Sequence, residues 1–139
     1  MSHYVDPERE QFEAFKELPR DVPVMMLNLL RFRENAAYDD GREATGEEAY
    51  ATYGRESAPI FRRVGGEIVW RGKPEVMLIG PAGKHWDLVF VARYPTAAAF
   101  LEMVTDPDYR EAVRHRQAAI LDSRLIRTGE VALGRNFSA

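Results

Sequence analysis

The sequence predicts an α+β domain in which strands and helices follow a split βαβ order. Three observations predict this class. Residues 86–126 place a strand, a helical stretch and a strand in one run. Residues 22–32 are apolar except for Asn28 and Arg31, and a helical pattern follows them from about residue 47 to 64. At 139 residues, with 45% hydrophobic and 29% charged side chains, the chain fits one domain with its own core.

The N-terminal part predicts a short helix and then a buried strand. Asp6 and Pro7 can supply the N-cap and the first helical residue, and the helix ends before Pro19. Its apolar face carries Phe12, Phe15 and Leu18. Residues 22–32 are too few for a membrane helix, and their apolar side chains fall on both faces of a strand.

The middle of the chain predicts a loop, a helix and extended segments. Residues 33–45 are charged and aperiodic, which predicts a loop that can serve as a mobile flap over a site. The helix over 47–64 contains Pro59, which indicates a kink or a restart. Residues 67–71 and 75–79 both have strand character. Between them, residues 72–74 form either a turn or a bulge in one bent strand, and both interpretations stay open.

The last third predicts a strand, two helices and a strand. These are a strand over 87–94, a short helix from Thr96 to Val104, a helix from Asp106-Pro107 to about Leu121, and a strand over 123–128. Without the first helix, the order is the split βαβ plan of a ferredoxin-like domain with an antiparallel sheet. We therefore predict a single domain with an N-terminal helical extension (1–21), a core (22–128) and a C-terminal tail (129–139).

The apolar strands also predict a partner. Helices cover one face of such a sheet, and the other face normally alternates apolar with polar residues. The first and third strands are apolar on both faces, so something must cover the second face. The same sheet from a second copy is the simplest cover, and we predict a homodimer.

Composition narrows the partners and the compartment. The net charge is −3 and the charges are interspersed, so we expect neither a nucleic-acid nor a membrane-surface partner. No apolar run approaches the roughly 20 residues that span a bilayer, and the first residues lack the apolar core of a signal peptide. We expect a cytoplasmic protein. The chain has no cysteine, which removes disulfides, thiolate nucleophiles and cysteine-based metal sites.

Three segments carry a resemblance to a known family: VMMLNLLRF in the first strand, GGEIVWRG in the second, and DLVFVARYPTAAAFLEMVTDPDYREAVRHRQAAILDSRLI. Over residues 22–128 the chain resembles the dimeric α/β-barrel superfamily and, within it, the domain-of-unknown-function family numbered 1330. The resemblance implies a ferredoxin-like monomer whose sheet faces its partner's, with a ligand cleft between sheet and helices in each subunit.

The same resemblance leaves the activity open. Relatives include cofactor-independent monooxygenases, haem-degrading monooxygenases, muconolactone isomerases, dehydratases and ligand-sensing domains, and a shared fold does not choose among them. Val113 fills the position where the haem-degrading relatives carry their axial histidine, and Tyr94 stands where they place an activating tryptophan. The resemblance therefore disfavours haem, and we expect no cofactor.

Arg116 is the first candidate site residue. It shares a helix face with Tyr109, Ala112, Val113 and Ile120. Desolvating a guanidinium without compensation costs several kcal/mol. Arg116 therefore either meets an internal acid or backbone carbonyl, or anchors a ligand carboxylate or enolate.

Other candidates surround the predicted cleft. Asn28, a lone amide in its apolar strand, either bonds a neighbouring element or orients a substrate oxygen. His85 is the favoured general base among the three histidines and adjoins Trp86; the alternative is an exposed loop histidine beside a packing tryptophan. Tyr50 and Tyr53 either donate hydrogen bonds to a ligand or are core residues. Tyr109 is a further candidate for ligand binding.

No metal pattern, phosphate loop or nucleophile elbow occurs in the sequence, and we expect no metal. The leading hypothesis is a homodimer that binds an anionic or phenolic small molecule. If it is catalytic, we expect proton abstraction, isomerisation or cofactor-independent oxygenation, with Arg116 and Asn28 orienting an oxygen and His85 moving a proton. The alternative is a ligand-sensing or interaction dimer without turnover.

Overall fold

A computed structural model describes residues 3–138 of the chain. Its elements are α1 (Arg9–Glu17), β1 (Val24–Phe32), α2 (Gly46–Arg63), β2 (Glu67–Gly72), β3 (Leu88–Tyr94), α3 (Ala97–Thr105), α4 (Pro107–Ala119) and β4 (Ile120–Thr128). None of the helices within residues 3–138 is both long and apolar enough to cross a membrane.

The four strands form one antiparallel sheet in the order β2-β3-β1-β4. The first strand therefore lies between the third and the fourth, as the split βαβ plan requires. The predicted α+β, ferredoxin-like fold is confirmed. The long helices α2 and α4 contact each other and pack on one face of this sheet, which buries Val24, Met26 and Leu30 of β1.

Strand register sorts the side chains into cross-strand rows, because residues paired directly across strands share a face. On the face towards α2 and α4, one row runs Arg71, Phe90, Asn28, Leu125, and its neighbour runs Ile68, Ala92, Met26, Arg127. On the opposite face, one row runs Trp70, Val91, Leu27, Ile126. The first two rows form a floor beneath the helices.

Helix α1 starts later than its sequence predicts. Its N-cap position is Glu8, so the proposed start at Asp6 and Pro7 is wrong. The Asp6 carboxylate instead accepts hydrogen bonds from Gln117 Nε2 at 3.3 Å. This contact with α4 removes Asp6 from a capping position.

The predicted strand over 75–79 does not form. β2 ends at Gly72, and its register shift lies between Ile68 and Trp70 rather than at residues 72–74. Residues 73–87 form no strand, and the Ile79 side chain is 91% exposed. Strand character alone does not make a strand, because a strand also needs a partner to pair with, and residues 75–79 pair with none of β1 to β4.

The loop between β1 and α2 is tied to the end of α4. Backbone hydrogen bonds join Arg33 N to Ala119 O and Ala37 N to Ala118 O, both at 2.8 Å. Helix α4 ends at Ala119, two residues before the predicted end, and β4 begins at once with the fully buried Ile120. Helix α2 passes through Pro59 without restarting.

Candidate ligand cavity

A cavity of about 1650 Å³ lies between the sheet and the helices. Its floor is made by the two rows that contain Phe90 and Met26. Tyrosines of α2 and α4 line the helical side, and the N-terminal segment, residues 4–18, lies along the remaining side. The size fits a drug-sized organic molecule with room for water.

Three tyrosines bring hydroxyl groups into the cavity. Tyr50 and Tyr53 come from α2 and Tyr109 from α4, and the hydroxyl oxygens of Tyr53 and Tyr109 are 2.7 Å apart. Burial raises the pKa of all three phenols. They therefore stay protonated at neutral pH and can donate hydrogen bonds, but they do not serve as bases.

Asn28 bonds within its own strand rather than to a neighbouring element, and it also lines the cavity. Its Nδ2 donates to the Met26 carbonyl at 3.0 Å, so part of the amide is satisfied within its own strand. One of the two Nδ2 hydrogens is used by Met26, which leaves the second hydrogen to donate and Oδ1 to accept a hydrogen bond from a ligand.

Arg116 lines the cavity but is already hydrogen-bonded. Its Nη1 donates to the Val5 carbonyl, and its Nη2 lies 3.4 Å from Ser123 Oγ. The guanidinium of Arg116 is therefore compensated by a backbone carbonyl. This is the internal contact that was predicted from the sequence as the alternative to a ligand anion. The contact fastens the N-terminal segment to α4.

Further contacts hold the same segment across the cavity. Tyr4 N donates to Asp122 Oδ1 at 2.9 Å, and Ser123 Oγ donates to Tyr4 O at 2.8 Å. Arg127 Nη2 donates to Pro19 O at 2.7 Å, and the Phe15 ring packs 5.0 Å from Phe100. We call residues 3–19 the N-terminal strap. It borders the cavity, whereas none of residues 33–45, the proposed flap, lines it.

The charged lining residues are mostly positive. Among residues 3–138 the cavity is lined by the arginines Arg9, Arg71, Arg110, Arg116, Arg124 and Arg127, and by the acids Asp6 and Glu8 of the strap. The sheet and the helices α2 and α4 thus contribute cations and no carboxylate to this lining.

His85 and Trp86 lie elsewhere. The His85 side chain is 59% exposed, with Nε2 3.9 Å from Asp87 Oδ1, and neither residue lines the cavity. Trp86 packs against the guanidinium of Arg124, 5.3 Å from its ring centre. The structure brings Asn28, Arg116 and the three tyrosines together in one cavity and leaves His85 outside it. His85 is thus an exposed loop histidine beside a packing tryptophan, which was the alternative to a general base.

Sequence reasoning missed the partners of His115. This histidine is buried, with Nδ1 2.6 Å from Tyr38 Oη and Nε2 3.2 Å from Glu56 Oε2. A signal was present, since His115 follows Ala112 by three residues and precedes Ala119 by four, which places it on a face of small buried side chains. The contact with Tyr38 depends on the path of the loop between β1 and α2, so no periodic pattern in the sequence predicts it.

Asp122 and Arg71 were also missed. Asp122 is 1% exposed, and its carboxylate meets Lys84 Nζ at 2.9 Å and Arg124 Nη1 at 2.8 Å. Arg71 reaches the cavity because β2 pairs Arg71 with Phe90. A register shift within β2 sets that pairing, and the shift is not readable from alternation alone.

The fold and cavity define a ferredoxin-like domain with a cleft between sheet and helices. The model of the domain of unknown function DUF1330 matches residues 42–128, and the chain belongs to this family. It is similar to the crystal structure of RPA0582, a protein of unknown function from Rhodopseudomonas palustris, at 56% identity and a TM-score of 0.90, over 94% of this chain and 99% of that one.

More distant structures share the fold. A NIPSNAP-like domain protein from Burkholderia xenovorans has 17% identity and a TM-score of 0.53, over 84% of this chain and 91% of its own. SnoaB, a cofactor-independent oxygenase from Streptomyces nogalater, has 17% identity and a TM-score of 0.50, over 82% and 99%. A comparison with curated proteins found no match.

Proposed function

We propose that this protein binds an anionic, flat and largely apolar organic molecule in the cavity between the sheet and α2 and α4. One observation carries the proposal: a large cavity combines an apolar and aromatic floor with phenolic hydroxyls, an amide oxygen and an excess of arginines. Ligand sites are typically apolar clefts with a few convergent polar groups, and this cavity matches that description.

The polar groups define the chemistry of the guest. Guanidinium groups pair with carboxylate or phenolate oxygens through two parallel hydrogen bonds, and such charge-assisted bonds are about twice as strong as neutral ones. The phenol of Tyr50 and the one proton left free in the Tyr53–Tyr109 hydroxyl pair add neutral donors for the same oxygens. A cationic guest would meet the arginines without a compensating acid from the sheet, α2 or α4.

Binding is better supported than turnover. Proton abstraction or isomerisation needs a base within hydrogen-bond reach of the substrate. His85, the predicted base, lies outside the cavity, and the phenols stay protonated. SnoaB is a cofactor-independent oxygenase, but the likeness to it is one of fold alone. Catalysis therefore remains a prediction from the sequence, and ligand binding is the proposal.

A pair of matched probes tests the charge preference. We expect 2-naphthoate to bind at one site per chain and at least tenfold more tightly than 2-naphthylmethylammonium, which keeps the ring and reverses the charge. A tenfold difference corresponds to about 1.4 kcal/mol, within the range of one charge-assisted hydrogen bond. Isothermal titration calorimetry measures both affinity and stoichiometry. Equal binding of the two probes, or binding of neither, would contradict the proposal.

We also propose that the protein is a homodimer through the uncovered face of the sheet. That face carries the row Trp70, Val91, Leu27, Ile126, and the side chains of Trp70 and Ile126 are about half exposed. The apolar side chains of Val76, Leu78 and Ile79, in the segment between β2 and β3, are also exposed. Contiguous apolar surface of this kind marks an interface, and a second copy offers the same face for a two-fold contact.

The dimer predicts a mass and a variant that changes it. Sedimentation equilibrium at micromolar concentration should give twice the 15.9 kDa of the chain. Trp70→Glu should give a monomer with an unchanged circular dichroism spectrum, since it places a charge within the apolar contact. Leu18→Glu changes a similarly exposed apolar residue on the strap and should leave the dimer intact. A wild-type mass of 15.9 kDa would refute the dimer.

A further inference from the structure

A single row of the sheet gives the cavity floor a direction. Arg71, Phe90, Asn28 and Leu125 lie side by side on β2, β3, β1 and β4, and all four line the cavity. Neighbouring strands are about 4.8 Å apart, so the backbones of Arg71 and Asn28 are separated by about 10 Å. The Phe90 ring lies between them. The row thus presents a cation, an aromatic surface and an amide in that order.

Arg71 differs from the other arginines that reach the cavity from the sheet. Arg124 donates to Asp122 and Ser123, and Arg127 donates to Phe15 and Pro19. Within residues 3–138, the side chain of Arg71 makes no hydrogen bond or ion pair. Its guanidinium is therefore available to an anion, whereas Arg116 is engaged with the Val5 carbonyl.

Tyr50 offers a second free donor in the cavity that Arg71 lines. Its hydroxyl has no hydrogen-bond partner in the part of the chain that the structure describes. The side chains of Tyr50 and Phe90 pack against the same buried cluster, which includes Leu30 and Ile120. Burial raises the pKa of Tyr50, so this hydroxyl stays protonated and can donate to the anionic group that Arg71 would bind.

Asn28 sets the requirement at the other end. Its Nδ2 is bound to the Met26 carbonyl, and its Oδ1 makes no hydrogen bond to any residue of the described segment 3–138. Oδ1 accepts and the second Nδ2 hydrogen donates, so the guest should present a hydroxyl, which can both donate and accept. A partly buried acceptor left unmatched costs affinity, which makes this end selective.

We infer that the ligand is a hydroxyaryl carboxylate that lies along this row, with its carboxylate at Arg71 and Tyr50, its ring over Phe90 and its hydroxyl at Asn28. This inference rests on the proposed ligand-binding function and adds the orientation and substrate class. Arg116 acts as a positioning residue that holds the N-terminal strap, and Arg71 is the anion contact. The span between the ends matches a fused two-ring system substituted at opposite ends.

Four naphthalene probes test the orientation without any substitution. They are 6-hydroxy-2-naphthoate, its isomer 3-hydroxy-2-naphthoate with the hydroxyl beside the carboxylate, 2-naphthoate and 2-naphthol. We expect 6-hydroxy-2-naphthoate to bind about fivefold more tightly than 2-naphthoate, a gain that fits one neutral hydrogen bond. The 3-hydroxy isomer should show no such gain. Equal gains for both isomers would overturn the assignment of the hydroxyl to Asn28.

Variants of two arginines separate the anchor from the strap. Arg71→Met should weaken the binding of both 6-hydroxy-2-naphthoate and 2-naphthoate at least tenfold. The affinity for 2-naphthol should change by less than twofold. Arg116→Met should change the affinities for all three probes by a common factor. Lys73→Met, which removes a charge two residues away but outside the lining, should leave all three unchanged.

The two proposals fail in different ways. If wild-type protein binds the naphthoates at one site per chain and Arg71→Met retains full affinity for them, the inference is wrong and the proposed function stands. If wild-type protein binds none of the probes, the proposed function itself is wrong. Asn28→Leu supplies a last check, since it should remove the advantage of 6-hydroxy-2-naphthoate over 2-naphthoate and leave 2-naphthoate affinity in place.

Discussion

Replacing Gly46 by alanine should destabilise the protein by about 3 kcal/mol, although alanine is the better helix former. The intrinsic preference favours alanine over glycine within a helix by roughly 1 kcal/mol. A Cβ at Gly46 would lie 2.1 Å from the Arg33 carbonyl oxygen and 2.9 Å from that of Ala119. Both neighbours are backbone atoms, fixed by the hydrogen bond from Arg33 N to Ala119 O. Overpacking of this kind typically costs 1–3 kcal/mol or more, so the clash outweighs the propensity.

Gly54 provides the matched control in the same helix. No atom lies within 4 Å of a Cβ built there, so Gly54→Ala should stabilise by roughly 0.5–1 kcal/mol. Urea denaturation of the two variants measures both effects. If Gly46→Ala is as stable as wild type, the close approach of the loop, the end of α4 and the start of α2 is not as described.

Asp122→Asn should cost about 2–3 kcal/mol. Removing one partner of a buried ion pair leaves the remaining charges poorly compensated and typically costs 3–5 kcal/mol. Lys84 and Arg124 keep part of their side chains in water, which lowers the expected loss. Asp122 also accepts from Tyr4 N, so the substitution should loosen the strap as well. Asp40→Asn removes a surface ion pair with Arg42 and should have little effect on stability.

The loss at Asp122 should depend on pH in a defined direction. Burial alone would raise the pKa of Asp122, but hydrogen bonds from Lys84, Tyr4 N and Arg124 outweigh it and hold the pKa well below its usual range. A lowered pKa stabilises the folded state above the unfolded value, near 3.9, and this contribution fades as the pH falls below it. The difference in unfolding free energy between wild type and Asp122→Asn should therefore be full at pH 7 and smaller at pH 3. A difference that grows on acidification would contradict the ion pair.

The sheet was predictable because burial leaves a direct mark on sequence. Residues 22–32 and 87–94 are apolar on both faces, and they became the two central strands β1 and β3. The error at residues 75–79 shows the limit of that signal. Those residues have the same strand character, but strand pairing depends on tertiary contacts that composition does not report.

The candidate site was predictable where helical spacing is regular. Tyr109 and Arg116 were placed on one face of α4, and Asn28 in a buried strand, and the structure brings all three to the same cavity. Arg71 was not found because its orientation depends on the register shift in β2. His85 was proposed from its imidazole chemistry and its place beside a Gly-containing connection, without a periodic pattern to fix its direction, and it lies outside the cavity.

A crystal structure of the protein with 6-hydroxy-2-naphthoate is the most direct test of the central claim that the cavity is a ligand site. We expect the naphthalene ring over Phe90, between the sheet and α2 and α4, with its carboxylate at Arg71 and its hydroxyl at Asn28 Oδ1. A cavity that stays empty while the probe binds only to the opposite face of the sheet would contradict the account.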